Sequence, residues 1–176
     1  MTSPAIATSR PHRSNQVIAS RFTANTDEPV VVFLIGIRIN SLLAISKWLP
    51  TAQAMTPMMK TLYTHPEKGF LGAEQFLYWR GFMLLQYWRS HEDLQRFAHS
   101  PSDPHRAAWQ RFYQSVGTDG SVGIWHETYS VQPGQMETIY ANMPPFGLAK
   151  ATEVRPATGA RSTATGRMQT AHTPHA

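Results

Sequence analysis

FMLLQYWR, residues 82–89, predicts a β-strand with large apolar side chains on both of its faces. Its aromatic and apolar residues are typical of a β-strand, in which successive side chains point to opposite faces of the sheet. Its large apolar side chains divide between the two faces, with Met83, Leu85 and Tyr87 on one and Phe82, Leu84 and Trp88 on the other. Because both faces are apolar, each needs a covering layer.

Strands and helices are predicted on both sides of this stretch. The run PVVVFLIGIRI, residues 29–39, predicts the first strand; it is too short to span a bilayer and contains Arg38. Residues 41–64 carry apolar side chains at helical spacing, and Pro50 and Pro57 predict a kinked helix or two helices. Further strands are predicted at residues 70–79, 82–89 and 122–131, with a short fifth strand at 136–140.

Two helices are predicted between the third and fourth strands. Ser90 and Asp93 resemble a capping box at the start of one, and Asp103 followed by Pro104 starts the other. The order β-α-β-β-α-β with an appended strand is the ferredoxin-like pattern of an α+β protein. The helices cover one face of the sheet, so a second copy is expected on the other unless the tails fold back. The sequence thus predicts a homodimer, a dimeric α+β barrel with an apolar interior.

The two ends of the chain differ in composition from its middle. Residues 1–26 and 151–176 are polar and rich in small residues and arginine, so both are predicted to be disordered tails around a domain at residues 27–150. Residues 22–150 hold ten Lys/Arg and ten Asp/Glu, and the formal charge of +5 comes from the ends. We therefore expect no nucleic-acid partner for the domain.

Several classes of site are excluded or disfavoured by residue type. The chain has no cysteine, which excludes disulfides, thiol nucleophiles and Cys-ligated metals. No two histidines have a metal-site spacing, and a Gly-rich phosphate loop is absent from the sequence. We expect no metal site and no nucleotide site, and since nothing calls for an oxidising compartment, we expect a cytoplasmic protein.

The stretch VGIWHETYSV, residues 122–131, places His126 beside Glu127 in the fourth predicted strand. Neighbouring strand residues point to opposite faces, so these side chains cannot form a close pair. Each is an ionisable group in an apolar row and needs a charged partner, such as Arg89, or a change in protonation. A structural Glu–Arg link with a core histidine is one interpretation. A catalytic role is the other, with His126 as the base or as a haem ligand.

Other candidate residues are aromatic or lie on the second helix. Pocket-lining or plain core roles are open for Trp88, Trp125 and Tyr129. Phe146, in a segment stiffened by two prolines, is expected over the barrel mouth, across a subunit interface or on the first helix. His105 is either a hydrogen-bonded core residue or a second candidate haem ligand.

YWRSHEDLQRFAHSPSDPHRAAW, residues 87–109, resembles the helix region of the antibiotic-biosynthesis monooxygenases, which are small dimeric α+β barrels. Residues 28–151 are more similar to a related family grouped with the monooxygenase component of fumagillin-type polyketide biosynthesis. The stretches that carry this resemblance are INSLLAISKWLPTAQAM (39–55), KGFLGAEQF (68–76), GIWHETYSV (123–131) and ETIYANMPPFGLAKA (137–151). Some relatives of this fold oxidise electron-rich substrates with dioxygen and no cofactor, whereas others bind haem. In the haem degraders the ligand is a His on the second long helix, at a position that falls nearer Trp109 than His105 here.

The resemblance implies a small homodimeric monooxygenase of secondary metabolism that oxidises a hydrophobic organic substrate with dioxygen. On this hypothesis His126 removes or relays a proton and Glu127 or Tyr87 assists. The residues expected to contact the substrate are Trp88, Trp125, Tyr129 and Phe146. One alternative is a haem enzyme of the same fold, a monooxygenase or dehydratase, with His126 or His105 as axial ligand. The other is a non-catalytic ligand-binding dimer.

Overall fold

A computed structural model describes residues 15–100, 110, 112–114 and 116–170. The chain divides into a main unit, Glu28–Gln132, and a second unit made of the described residues of Met1–Asp27 and Pro133–Ala176. The described strands are β1 (Ile18–Asn25), β2 (Val30–Ile39), β3 (Phe70–Tyr78), β4 (Gly81–Trp88), β5 (Val122–Val131), β6 (Tyr140–Met143) and β7 (Glu153–Pro156). The helices are α1 (Ile45–Gln53), α2 (Met55–Thr64), α3 (His91–His99), α4 (Leu148–Ala151) and α5 (Ala164–Thr170), with 3₁₀ turns at Pro66–Lys68 and Gly159–Ser162.

The main unit has the predicted ferredoxin-like sheet. Its four strands are ordered β3-β4-β2-β5, and each neighbouring pair is antiparallel. The helical region between β2 and β3 is two helices that meet at Ala54, as the prolines predicted. The helix predicted from Asp103 lies largely outside the described residues, although Gln110 and residues 112–114 are helical. The α+β class and the strand order are therefore confirmed.

One face of this sheet packs against α2 and α3. Trp88 is 0 % exposed at the centre of this core. The buried members of the cluster come from three strands and both helices: Val31, Met58, Leu62, Phe70, Ala73, Trp88, Leu94 and Phe97. Each large side chain removed from water stabilises the fold by about 2 kcal/mol, so this layer is a main source of its stability.

The start of α3 is held by a buried carboxylate. The Ser90 side chain accepts a hydrogen bond from the backbone N–H of Asp93 at 3.1 Å, which confirms the predicted cap. The Asp93 side chain is buried and accepts hydrogen bonds from Arg89 and Arg96, each at 2.8 Å. Gly69, in the left-handed region at φ +82, leaves room for this carboxylate, because a Cβ there would lie 2.2 Å from Asp93 Oδ2. This network joins α3 to the turn that precedes β3.

The second unit is a three-stranded sheet of order β6-β1-β7. Phe22, in the central strand, is 1 % exposed and stacks on Tyr140 at 5.1 Å between ring centroids. Thr23 Oγ1 donates to the carbonyl oxygen of Thr138 at 2.7 Å. Arg167 is buried, and its Nε donates to Glu137 Oε1 at 2.6 Å.

This unit differs from the predicted disordered tails and from the predicted fifth strand. Residues 18–25, 153–156 and 164–170 are in regular elements, and the strand predicted at 136–140 is found at Tyr140–Met143. The partners of β1 are more than a hundred residues away in sequence, so local composition does not reveal them. Arg167, in one of the predicted tails, is paired with Glu137 and buried. Residues 1–14 and 171–176 lie outside the described residues.

Replacing the buried carboxylate should destabilise the main unit. Asp93→Ala leaves two arginines without their shared partner and is expected to lower the free energy of unfolding by about 2 kcal/mol. Urea denaturation followed by circular dichroism measures this change. The matched control is Gln95→Ala on the exposed side of the same helix, expected to change stability by less than about 0.5 kcal/mol. Equal effects of the two substitutions would contradict the role given to Asp93.

Candidate functional site

The main unit contains a cavity of about 1000 Å³ on the face of the sheet that α2 and α3 cover. Three strands and both helices contribute to its wall, together with Gln110, Tyr113 and Gln114. The described lining residues are Phe33, Ile35, Met55, Met58, Met59, Leu62, Gln86, Trp88, Leu94, Gln95, Phe97, Ala98, His99, Gln110, Tyr113, Gln114, His126 and Thr128. The size is that of a pocket for a small organic molecule.

Apolar side chains form more than half of the described lining, and the others are uncharged polar side chains and two imidazoles. It includes no Lys, Arg, Asp or Glu, and its two imidazoles belong to His99 and His126. His99 lies at the last residue of α3, where Nδ1 is 2.9 Å from the carbonyl oxygen of Gln95. Such a wall favours a neutral, hydrophobic ligand, because a charged one would lose its hydration without gaining a partner.

His126 projects from β5, which is an edge strand of the sheet. It pairs with Ile35 in the ladder, and its ring lies 5.7 Å from the Phe33 ring at an interplanar angle of 45°. The side chain is exposed, and no residue that the structure describes forms a hydrogen bond with the imidazole. An imidazole at the rim of an apolar cavity can take a proton from a bound molecule and exchange it with water.

The structure does not bring Glu127 and Tyr87 to His126. The β2–β5 and β2–β4 registers place Tyr87, Val32 and Tyr129 in one row across the sheet, on the face opposite the cavity. Glu127 lies on that same opposite face, where Tyr129 Oη donates to its Oε2 at 2.6 Å. This hydrogen bond raises the pKa of Tyr129, since ionisation would place a phenolate beside the carboxylate. The predicted assistance to His126 therefore fails on geometry.

Trp125 also lies on the face opposite the cavity. Its indole crosses Gly36, where a Cβ would meet the ring at 2.8 Å, and Nε1 donates to Tyr78 Oη at 2.9 Å. Tyr78 Oη in turn donates to the carbonyl oxygen of Ile37 at 2.6 Å. Gly81 leaves space for the Tyr78 ring, since a Cβ there would lie 2.7 Å from Tyr78 Cζ. Trp125 is thus held by a hydrogen-bonded chain within its own sheet.

Of the predicted substrate contacts, Trp88 lines the cavity. Its Nε1 donates to Gln86 Oε1 at 2.9 Å, and Gln86 is 5 % exposed. Sequence reasoning overlooked Gln86, although it interrupts an apolar strand on the face of Leu84 and Trp88. Phe146 belongs to the second unit, two residues before α4. His105 lies outside the described residues.

A haem group would need an axial ligand and partners for its two propionates within the cavity. His126 is placed where an axial ligand could project into it. The two propionates of haem need cations or several hydrogen-bond donors. The described lining supplies no Lys or Arg, but it includes the side-chain amides of Gln95, Gln110 and Gln114. The described residues therefore offer haem an axial ligand and neutral donors, without a cation. Within the part of the chain that the structure covers, three His, Asp or Glu side chains are nowhere grouped to hold a metal ion. No described helix is long and apolar enough to cross a membrane.

The chain is similar to several known proteins. It is 28 % identical over 134 residues to Monooxygenase af470 of Aspergillus fumigatus, an alignment that covers 69 % of this chain and 46 % of that protein. The chain thus spans about half the length of this relative.

Two solved structures are more distant. SnoaB, a cofactor-independent oxygenase from Streptomyces nogalater, is 13 % identical with a TM-score of 0.41, over 58 % of this chain and 93 % of that chain. Protein SO0527 from Shewanella oneidensis is 13 % identical with a TM-score of 0.39, over 68 % of this chain and 99 % of that chain. The family model described as Monooxygenase af470-like matches residues 30–148, which is more than half of the sequence. The chain belongs to the Monooxygenase af470-like family.

Proposed function

We propose that the chain is a monooxygenase that oxidises a hydrophobic, electron-rich organic substrate with dioxygen in the cavity of the main unit. The observation that carries the proposal is the position of His126, an imidazole at the rim of a cavity of about 1000 Å³ whose described lining is more than half apolar and carries no Lys, Arg, Asp or Glu. Membership of a monooxygenase-like family supports the reaction class.

The proposed reaction converts an activated methylene into a carbonyl group. His126 removes one proton from the methylene carbon, and the carbanion gives an electron to dioxygen. The resulting radicals combine through a new carbon–oxygen bond to form a peroxide, which takes up the proton. Loss of water, with the second methylene hydrogen and one oxygen atom, leaves the carbonyl. One dioxygen is consumed: one of its oxygen atoms becomes the carbonyl oxygen and the other leaves as water. The substrate supplies all the electrons that reduce dioxygen, so no external reductant is needed.

The lining determines which substrates can react. The carbanion forms only if the substrate delocalises its charge, so the methylene must adjoin a conjugated system. The apolar and aromatic wall, including Phe33, Trp88 and Phe97, accepts a flat ring system without charged groups.

Anthrone tests the proposed reaction, because its methylene is acidified by a carbonyl group across the ring. With ¹⁸O₂ the protein should form anthraquinone carrying one ¹⁸O atom, measured by mass spectrometry above the spontaneous rate. His126→Ala removes the base and should lower kcat by about 100-fold or more. The control His99→Ala changes the second histidine of the described lining and should retain most of the activity.

Two outcomes would contradict this proposal. Full activity in His126→Ala would show that the imidazole is not the base. Binding of anthrone without any turnover, in a folded protein, would favour the non-catalytic ligand-binding dimer instead.

We also propose that the chain acts as a homodimer, built on the face of the sheet opposite α2 and α3. That face carries half-buried apolar residues on the two central strands, Val32, Leu34, Met83 and Leu85. A second sheet packed on it would remove these side chains from water, as in a two-layered barrel.

Light scattering after size-exclusion chromatography measures the assembly. The wild-type chain should have twice the monomer mass, and Leu85→Glu should reduce the mass to one chain, because it places a charge in the apolar interface. The control Leu77→Glu, at a side chain 83 % exposed on the other face, should remain dimeric. A monomeric wild-type protein would contradict the proposed assembly.

A further inference from the structure

We infer that Gln86 determines substrate specificity by donating a hydrogen bond from its side-chain amide to a carbonyl oxygen of the substrate. The inference rests on the proposed function, since it places the substrate in the same cavity. It also narrows the substrate class, from apolar ring systems in general to conjugated ketones and related carbonyl compounds.

Trp88 fixes the orientation of the Gln86 amide. An indole N–H can only donate, so the atom that it meets at 2.9 Å must be the amide oxygen. The amide nitrogen is therefore turned away from Trp88, towards α2 and the cavity. Trp88 is 0 % exposed and packs between Phe70 and Phe97, at centroid distances of 5.4 and 5.7 Å, so this orientation is rigidly held.

The amide nitrogen meets only a weak acceptor in the described structure. Gln86 Nε2 lies 3.9 Å from Met59 Sδ, and a thioether is a poor hydrogen-bond acceptor. A buried amide donor normally has an oxygen partner, because desolvation without one is costly. Met59 has a flexible side chain on α2 and lines the cavity, so it can yield its place to a ligand oxygen.

Gln86 and His126 are placed to act on opposite parts of one molecule. Gln86 pairs with Phe33 and His126 pairs with Ile35, so the two residues lie two strands and two positions apart. Standard sheet spacings give roughly 12 Å between their Cα atoms. Phe33 lies between them and contacts the His126 ring. A conjugated system lying over Phe33 could lose a proton to His126 while its carbonyl oxygen, where the negative charge collects, accepts from Gln86.

A matched pair of ligands isolates this hydrogen bond. 9-Fluorenone and fluorene have the same ring system and differ by the carbonyl oxygen. Equilibrium dialysis against the full chain is run without oxygen, so that the fluorene methylene cannot be oxidised to the ketone. It should show that 9-fluorenone binds about tenfold more tightly than fluorene. The infrared C=O stretch of the bound ketone should lie below its value in an alkane solvent, which reports the hydrogen bond directly.

Gln86→Met removes the donor at nearly constant volume and should abolish both the preference and the infrared shift. Gln95→Met is the matched control, since Gln95 lines the same cavity from the exposed side of α3 and its loss should change neither.

The outcomes separate this inference from the proposed function. Equal binding of the two ligands by the wild-type chain, without an infrared shift, would overturn the role of Gln86 and leave the apolar cavity in place. Loss of the preference in Gln95→Met would overturn it as well. If neither ligand bound, the proposed function and the inference would both fail. The comparison of 9-fluorenone with fluorene uses the wild-type chain, so it can overturn the role of Gln86 even if Gln86→Met does not fold.

Discussion

The burial of Trp88 between the sheet and its two helices is the contact on which the main unit depends. It joins β4 to β3 and α3 through Phe70 and Phe97, and it holds the amide of Gln86. Trp88 lies on the face of β4 that lines the cavity. Because strand residues alternate between the two faces of a sheet, every polar strand residue of the proposed site must share that face.

This alternation explains which parts of the site the sequence could predict. His126 and Glu127 are adjacent, and their separation onto opposite faces was predictable and is confirmed by the register of β5. The same rule places Tyr87 with Glu127 and away from His126, so its predicted assistance was inconsistent with the predicted strands. Gln86 could have been found in the same way, as the polar residue on the Trp88 face of an otherwise apolar strand. The orientation of the Gln86 amide could not have been predicted, since it depends on the single hydrogen bond from the Trp88 indole N–H.

The fold shows a similar division between local and distant information. The four-stranded sheet was predictable from periodicity, turn residues and a capping Ser, all of which are local signals. The family match confirms the resemblance carried by residues 39–55, 68–76, 123–131 and 137–151. The sheet β6-β1-β7 was missed because its pairings join the two ends of the chain. Polar composition there is compatible with order, since Arg167 is satisfied by Glu137 and by two backbone carbonyls.

The proposed function requires that the substrate binds on the helix-covered face of the sheet, with His126 at its reacting carbon. A crystal structure of the protein with anthrone, grown without oxygen so that the ligand stays intact, would locate the substrate. We expect electron density over Phe33, with the methylene carbon near His126. Density on the opposite face, beside Tyr87 and Glu127, would contradict it.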